Sequence, residues 1–308
     1  QKLLKRYRQS ILKAAVTGQL TRDWREANQH KHEPASDLLA RILGTRRENW
    51  QGHSKYKLPL EADADALPEL PEGWIWATMD QLGEVLGGLT KNSKRMELPL
   101  KRPMLRVANV YQNRLNLEDI HETGVSEKEL QRVSLEPLDI LIVEGNGSRD
   151  QIGRMAIWRD EIPDAVHQNH LIKARLFEKQ LAEYILAWFQ SPIGRQVVEI
   201  VASSTSGLYT LSLSKIKQLT VPLPSLPEAR EIVAKVQSLF SDAEGLEECC
   251  AAELRCSVSL RQSILKSAFT GQLLPQHPND QPASELLARI RADQSSASRV
   301  KSRRNASP

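Results

Sequence analysis

Between residues 91 and 106 the chain carries Lys91, Lys94, Arg95, Lys101, Arg102 and Arg106, opposed only by Glu97. A run of cations this dense neutralises phosphates and releases their counterions, so it is expected to bind nucleic acid less tightly as salt rises. Asn92, Asn109 and Asn113 are interleaved with it. An amide matches the paired donor and acceptor of adenine, as a guanidinium matches guanine. The competing reading is a solvated basic loop. A second candidate is the segment 144–151, Glu-Gly-Asn-Gly-Ser-Arg-Asp-Gln. Its glycines let backbone approach a duplex closely, and Asn146, Ser148, Arg149 and Gln151 are its polar side chains; a glycine hairpin with incidental polar residues is the alternative. Gln168, Asn169 and His170 precede an apolar run and either project from a strand end or bond within the core. Ser204, Thr205 and Tyr209 lie in a hydroxyl-rich segment suited to phosphate oxygens or to capping the preceding helix. Lys215 adds charge just downstream.

Signals for catalysis are sparse. Gly145-Asn146-Gly147-Ser148 lacks the length and lysine of a phosphate-binding loop. No glycine-rich turn follows a strand with an acidic residue at nucleotide-binding spacing, and no Asn- or Asp-Pro-Pro-aromatic sequence occurs. Asp139 and Glu144 invite a metal-nuclease reading, but no Glu-x-Lys follows them and the run reads as an ordinary strand. His30 and His32 sit in a polar stretch without ligand partners. Cys249, Cys250 and Cys256 offer no paired metal spacing and no disulfide framework, and are expected to be small buried hydrophobes of a helix. No catalytic residue, metal ligand or cofactor is assigned.

The elements that must position these residues follow from periodicity. Residues 3–17 form a helical stripe, stopped where Gly18 accepts a left-handed conformation. A second helix is expected over 35–50, and residues 51–71, with Pro59, Pro68 and Pro71 and alternating acids and alanines, read as a linker. From residue 72 to 224 the pattern becomes short strands, at 104–110, 139–144, 154–158 and 171–176, between turns. Helices are expected at 126–133, where Ser126 and Glu129 have capping-box spacing, and at 179–190 and 192–202. A helical stripe then runs from 228 to 270, through Val236, Leu239, Ala243, Leu246, Leu254, Val258 and Leu265, and needs a partner to cover it. Glu228, Glu231, Asp242, Glu244, Glu247, Glu248 and Glu253 make this helix acidic, which suits a spacer or protein-docking surface better than a groove reader.

One sequence unit occurs twice. Residues 8–20 return as 261–273, differing only at Ala14/Ser267 and Val16/Phe269, and residues 34–42 return as 282–290, differing only at Asp37/Glu285. This is no short-period array; a repeated scaffold brackets a stretch that is not repeated. The division expected is a first repeat copy (1–50), the linker (51–71), a mixed domain (72–224), a long coiled-coil helix (225–273), a second repeat helix (274–292) and a disordered tail (293–308). The fold class is α+β: one mixed domain flanked by helical regions. At net charge +4, composition alone does not identify a nucleic-acid binder. Without a membrane-length apolar run or a signal-peptide core, a reducing cytoplasm is the expected compartment.

The ordered motifs Pro71-Glu72-Gly73-Trp74-Ile75-Trp76, Leu105-Arg106-Val107-Ala108-Asn109-Val110, Gln168-Asn169-His170-Leu171 and Leu213-Ser214-Lys215-Ile216 resemble the target-recognition domain of type I restriction–modification specificity subunits. Residues 224–233 and the repeated Thr-Gly-Gln-Leu helix ends resemble that family's helical spacers. The resemblance implies a non-catalytic subunit that reads half of a split DNA sequence. Its paired helices set the spacing and dock DNA methyltransferase subunits, through which a restriction subunit joins. The family alternates two recognition domains with two helical regions; this chain carries one recognition domain. A second copy, or a second recognition domain, is therefore an expected partner through antiparallel helices. The competing readings are a self-contained DNA methyltransferase or nuclease, and a coiled-coil adaptor whose central domain binds protein.

Overall fold

A computed structural model describes residues 2–28, 31–50, 55–63, 65, 67–146, 151–202, 209–275, 277 and 279–304, with the side chains of 146, 209 and 296–304 outside that description. The chain divides into two compact units, residues 1–245 and 246–308.

In the first unit the repeat copy forms α1 (Lys2–Val16), α2 (Arg22–Ala27) and α3 (Ala35–Glu48). Gly18 ends the first helical turn structure at φ +68°, as its sequence position requires, and a Cβ there would fall 2.6 Å from the Pro71 ring. The short helix α2 lies where the sequence suggests only a loop. The mixed domain then unfolds in the order β1 (Ile75–Thr78), α4 (Met79–Leu82), β2 (Gly83–Leu86), β3 (Lys101–Leu105), β4 (Val110–Tyr111), β5 (Arg114–Leu115), β6 (His121–Gly124) and α5 (Glu127–Val133). It continues through β7 (Ile140–Val143), β8 (Gly145–Asn146), β9 (Met155–Ile157), β10 (Val166–His167), β11 (Leu171–Leu176), α6 (Ala182–Gln190), α7 (Pro192–Val201), β12 (Tyr209–Thr210), α8 (Leu213–Lys217) and β13 (Thr220–Leu223).

Its centre is a four-stranded antiparallel sheet in the order β2-β11-β7-β9. Strand β7 is Ile-Leu-Ile-Val and is buried throughout, because both its faces are covered. Side chains alternate across a strand. Ile140 and Ile142 therefore join Ile172 and Ala174 on the face packed by the helices, while Leu141 and Val143 join Leu171, Leu105, Val110 and Trp158 on the other. Each fully buried Leu or Ile contributes roughly 2 kcal/mol. A three-stranded sheet, β10-β3-β6, flanks this centre, with β10 parallel to β3. The domain's first and last strands pair with each other, β1 with β13, Ile75 opposite Leu223. Tyr184 and Trp188 of α6 fasten to that closure, donating to the carbonyls of Pro222 (2.6 Å) and Thr220 (2.8 Å). Helix α1 buries Ile11, Leu12, Ala15 and Val16 against α6 and α7, while α3 packs on α4 and β1 through Leu38 and Ile42.

Three expectations change. The strand expected over 104–110 stops at Leu105, and residues 107–109 turn instead. The cause is Asn109, whose amide accepts from the Arg106 N–H (2.8 Å) and donates to the carbonyls of Asn116 and Asp119. Helix α9 (Leu226–Phe269) ends in the second unit, where Cys249, Cys250 and Cys256 are exposed rather than buried, along with the neighbouring Leu246, Leu254 and Val258 of the same helix. Helix α10 (Ala283–Arg304) runs past residue 293, where a disordered tail is expected from composition. Among the described residues no helix is long and apolar enough to cross a membrane.

Candidate nucleic-acid interface

The ends of β7, β9 and β11 bring several of the candidate segments to one edge of the central sheet. The β7 strand leads into Glu144, whose N–H donates to the His170 carbonyl at 3.0 Å. The Glu144 carboxylate lies 2.8 Å from Nδ1 of His170, an exposed side chain. From there the backbone of Gly145–Asn146 pairs with Tyr209–Thr210, and the Leu211 N–H donates to the Glu144 carbonyl (2.6 Å). Segments far apart in sequence, 144–146, 168–170 and 209–211, thus share this edge. Ser148, Arg149, Ser204 and Thr205 lie outside the described residues, as do the side chains of Asn146 and Tyr209. Gln151 is exposed. Gln168 and Asn169 are half-buried, and their backbone N–H groups are bonded to the carbonyls of Leu105 and Leu89. Lys215 donates to the Thr210 carbonyl at 3.2 Å.

The basic run is divided by its internal bonds. Lys91 and Lys94 are exposed, and Asn92 accepts from the Lys94 N–H, shaping the turn that carries them. Arg95 is held by Glu129 through two hydrogen bonds, at 2.6 and 3.0 Å. The guanidinium, with help from Ser126, draws the Glu129 carboxyl down to about 2. Lys101 donates to the Met96 carbonyl. Arg102 sits 3.6 Å from Asp164, and Arg106 bonds Asp119 at 2.7 Å. Asn109 is 3% exposed and its amide is taken up by backbone. Asn113 is exposed at φ +59°, at the tip of the β4–β5 hairpin, with its N–H bonded to the Met155 carbonyl. Spacing along the sequence does not separate cations that face solvent from cations that brace the fold.

The structure also joins residues the sequence does not single out. The guanidinium groups of Arg114 and Arg154 lie 4.8 and 5.6 Å from the centre of the Tyr111 ring. The Tyr-x-x-Arg spacing of a tight hairpin is a visible signal for Arg114; Arg154 arrives only through the β9 pairing.

The acidic residues that suggest nuclease chemistry have structural surroundings. Asp139 is 1% exposed and accepts from Arg175 at 2.9 and 2.7 Å, and from the Glu136 N–H. Beside it Lys173 is wholly buried, donating to the Ser134 carbonyl at 2.7 Å. Burial lowers its ammonium to about 8. His167, also wholly buried, bonds the Leu171 carbonyl through Nδ1, and burial pushes its imidazole down to about 3. Among the described residues no three His, Cys, Asp or Glu side chains gather as metal ligands would.

No protein-family profile matches the chain. It is 30% identical over 314 residues to the type I restriction enzyme EcoKI specificity subunit of Escherichia coli K12, a match covering 99% of this chain and 59% of that relative. It is 27% identical over 300 residues to the StySPI specificity subunit of Salmonella potsdam, covering 94% and 56%. Among solved structures, the HsdS subunit of Thermoanaerobacter tengcongensis matches with a TM-score of 0.42 at 16% identity, covering 88% of this chain and 58% of that one. The chain is homologous to type I restriction enzyme specificity subunits along nearly its whole length, and spans a little over half of the curated relatives it matches.

Proposed function

We propose, with that homology as premise, that the chain is a non-catalytic DNA-specificity subunit, or part of one, of a type I restriction–modification complex. Residues 72–224 read one half of a bipartite site. The observation that carries this reading is the alignment with specificity subunits over almost every residue of the chain. The sheet edge supports it, because Gln168, Asn169, His170 and the Asn146 and Tyr209 backbone segments meet there, with Asn113 on the hairpin tied to β9; Gln151 is an exposed amide a few residues further along the chain. Lys91 and Lys94 add phosphate-seeking charge. Arg95, Arg102, Arg106 and Asn109 hold the turns that present these groups.

The helices serve partners: methyltransferase subunits and, through them, a restriction subunit. The two repeat copies also point to a further recognition domain. In the first copy Ile11, Leu12, Leu38 and Ile42 are buried against the domain. In the second the matching Ile264, Leu265, Leu286 and Ile290 are each more than two-fifths exposed. Near-identical apolar faces call for the same kind of cover, so the second copy takes a recognition domain from a second chain or from a following segment. Solution mass of the chain, alone and with a methyltransferase subunit, separates these: a dimer that Leu265→Asp disrupts supports a second chain, and a stable monomer supports a following domain.

The test of the function is selection. The chain with its methyltransferase partner is incubated with a pool of randomised duplexes, and bound DNA is sequenced. Enrichment of a defined half-site is expected, with affinity falling as salt rises. Retention of all sequences equally, or of none, defeats the reading.

A further inference from the structure

We propose that Tyr111, Arg114 and Arg154 form a two-arginine clamp on a phosphate of the duplex backbone, placing the DNA against the sheet edge at residues 144–146. This rests on the reading of residues 72–224 as a DNA-binding domain. Five other arginines of the domain are neutralised by carboxylates, Arg95 by Glu129, Arg102 by Asp164, Arg106 by Asp119, Arg159 by Glu183 and Arg175 by Asp139, while Arg132 is taken up by the carbonyls of Gly87 and Gly88. Among the described residues, Arg114 and Arg154 have no carboxylate at ion-pair distance. Both instead lie within cation–π range of one ring. An aromatic face orients a guanidinium without cancelling its charge, so two full positive charges are held beside one another with no anion between them. Arg154 is half-buried, and its Nε is covered and without a hydrogen-bond partner among the described residues, so the terminal Nη groups are the ones that meet an acceptor from outside.

The surroundings fix where that acceptor lies. The Arg154 carbonyl accepts from the Val143 N–H at 2.9 Å, which sets Arg154 beside the strand end that leads to Glu144 and Gly145. The hairpin bearing Tyr111 and Arg114 is tied to the next residue of β9 by the Asn113 N–H bond to Met155 (2.9 Å). The clamp is thus rigidly attached to the edge that gathers the base-reading candidates. A phosphate oxygen suits it: a guanidinium fork meets phosphate through two parallel N–H donors. Such a contact sets register on the duplex and carries no sequence information.

The test measures salt dependence and sequence selection together, with the full chain and a pool of randomised duplexes. Arg114→Gln and Arg154→Gln are each expected to weaken binding about tenfold near 0.1 M salt and to reduce the log–log salt slope by about one. The enriched sequence should be unchanged. Arg154→Lys, which keeps the charge, should restore the slope; Tyr111→Ala should weaken binding, and Tyr111→Phe should not. Melting temperature serves as the folding control, and Arg114, on an exposed hairpin, gives an independent measurement should the Arg154 variants be unstable. If the wild-type chain binds DNA and both glutamine variants keep its affinity and slope, the clamp is overturned while the DNA-binding reading stands. A changed enriched sequence also overturns it, since the arginines would then read bases. Failure of the wild-type chain to bind any duplex overturns both.

Discussion

The buried carboxylate of Glu228 accepts a hydrogen bond from Arg25 at 2.6 Å, linking the first turn of α9 to the first repeat copy. The same carboxylate accepts from Thr21 (2.8 Å) and from the Trp74 indole (2.9 Å), so it joins the repeat, the start of the mixed domain and the long helix at one point. Its position at a helix N-terminus adds a favourable interaction with the helix dipole. Removing one member of such a buried pair leaves the other charge uncompensated. Glu228→Ala is expected to destabilise the chain by about 3 kcal/mol, and Thr21→Val by about 1 kcal/mol, in denaturant unfolding. Equal stability of Glu228→Ala and wild type would show that the junction contributes nothing.

The Arg95–Glu129 pair has a definite pH signature. The Glu129 carboxyl sits near 2 in the folded chain, below its ordinary value of 4.5, because Arg95 and Ser126 bond its charged form. Between those values the unfolded chain binds the proton and the folded chain does not, so the stabilisation is full above pH 4.5 and disappears as pH falls towards 2. Arg95→Gln should cost on the order of 1–2 kcal/mol at pH 7, reduced from the full shift by partial solvent screening. Unfolding curves of variant and wild type should converge in acid; a gap that persists at pH 2 contradicts the pair's role.

His167 acts in the same direction, but from a higher pH. Its imidazole is held neutral down to about 3 by burial, whereas in the unfolded chain it takes a proton near 6.5. Stability should therefore fall as pH drops below 6.5, by about 1.4 kcal/mol per pH unit from this residue. His167→Met removes that proton uptake and should flatten the stability–pH profile between pH 6 and 4, whatever its effect on absolute stability. An unchanged slope would mean that the imidazole protonates in place.

Cys249, Cys250 and Cys256 are free and exposed. In the unassembled chain all three should react with an aromatic disulfide reagent without denaturant. Slow reaction would reveal a cover over this part of α9. Adding the methyltransferase partner, or raising the chain concentration, should protect at least one if α9 is an assembly surface.

Local chemistry made part of this structure readable in advance. Gly18 and Gly271 stop their helices at φ +68° and +70°, as identical flanking residues require. The Ser126 N–H bonds Glu129 as the capping spacing implies, and the unbroken apolar run of β7 is the buried centre of the sheet. What escaped depends on contacts between distant segments. The Asn146–Tyr209 pairing has no local signature, and nothing in the run 91–106 marks Arg95 and Arg106 as paired while Lys91 faces solvent. Asn109 resembles a base-reading amide in type and neighbours, yet three backbone groups occupy it. Glu228 reads as one more acid on an acidic helix, but its buried position follows from Thr21, Arg25 and Trp74, which periodicity cannot see.

Strands β1 and β13 meet with Ile75 opposite Leu223 and Thr78 opposite Thr220. Everything between them leaves and returns at neighbouring points on the same pair of strands. A different stretch of sequence, with other loops and even another length, can occupy that interval while chain entry and exit keep their positions. If residues 72–224 read DNA as proposed, the β1–β13 zipper lets that interval be exchanged, and a graft cut at residues 78 and 220 should give the scaffold a new target provided it keeps the faces of α4, α6 and α7 on which α1 and α3 pack.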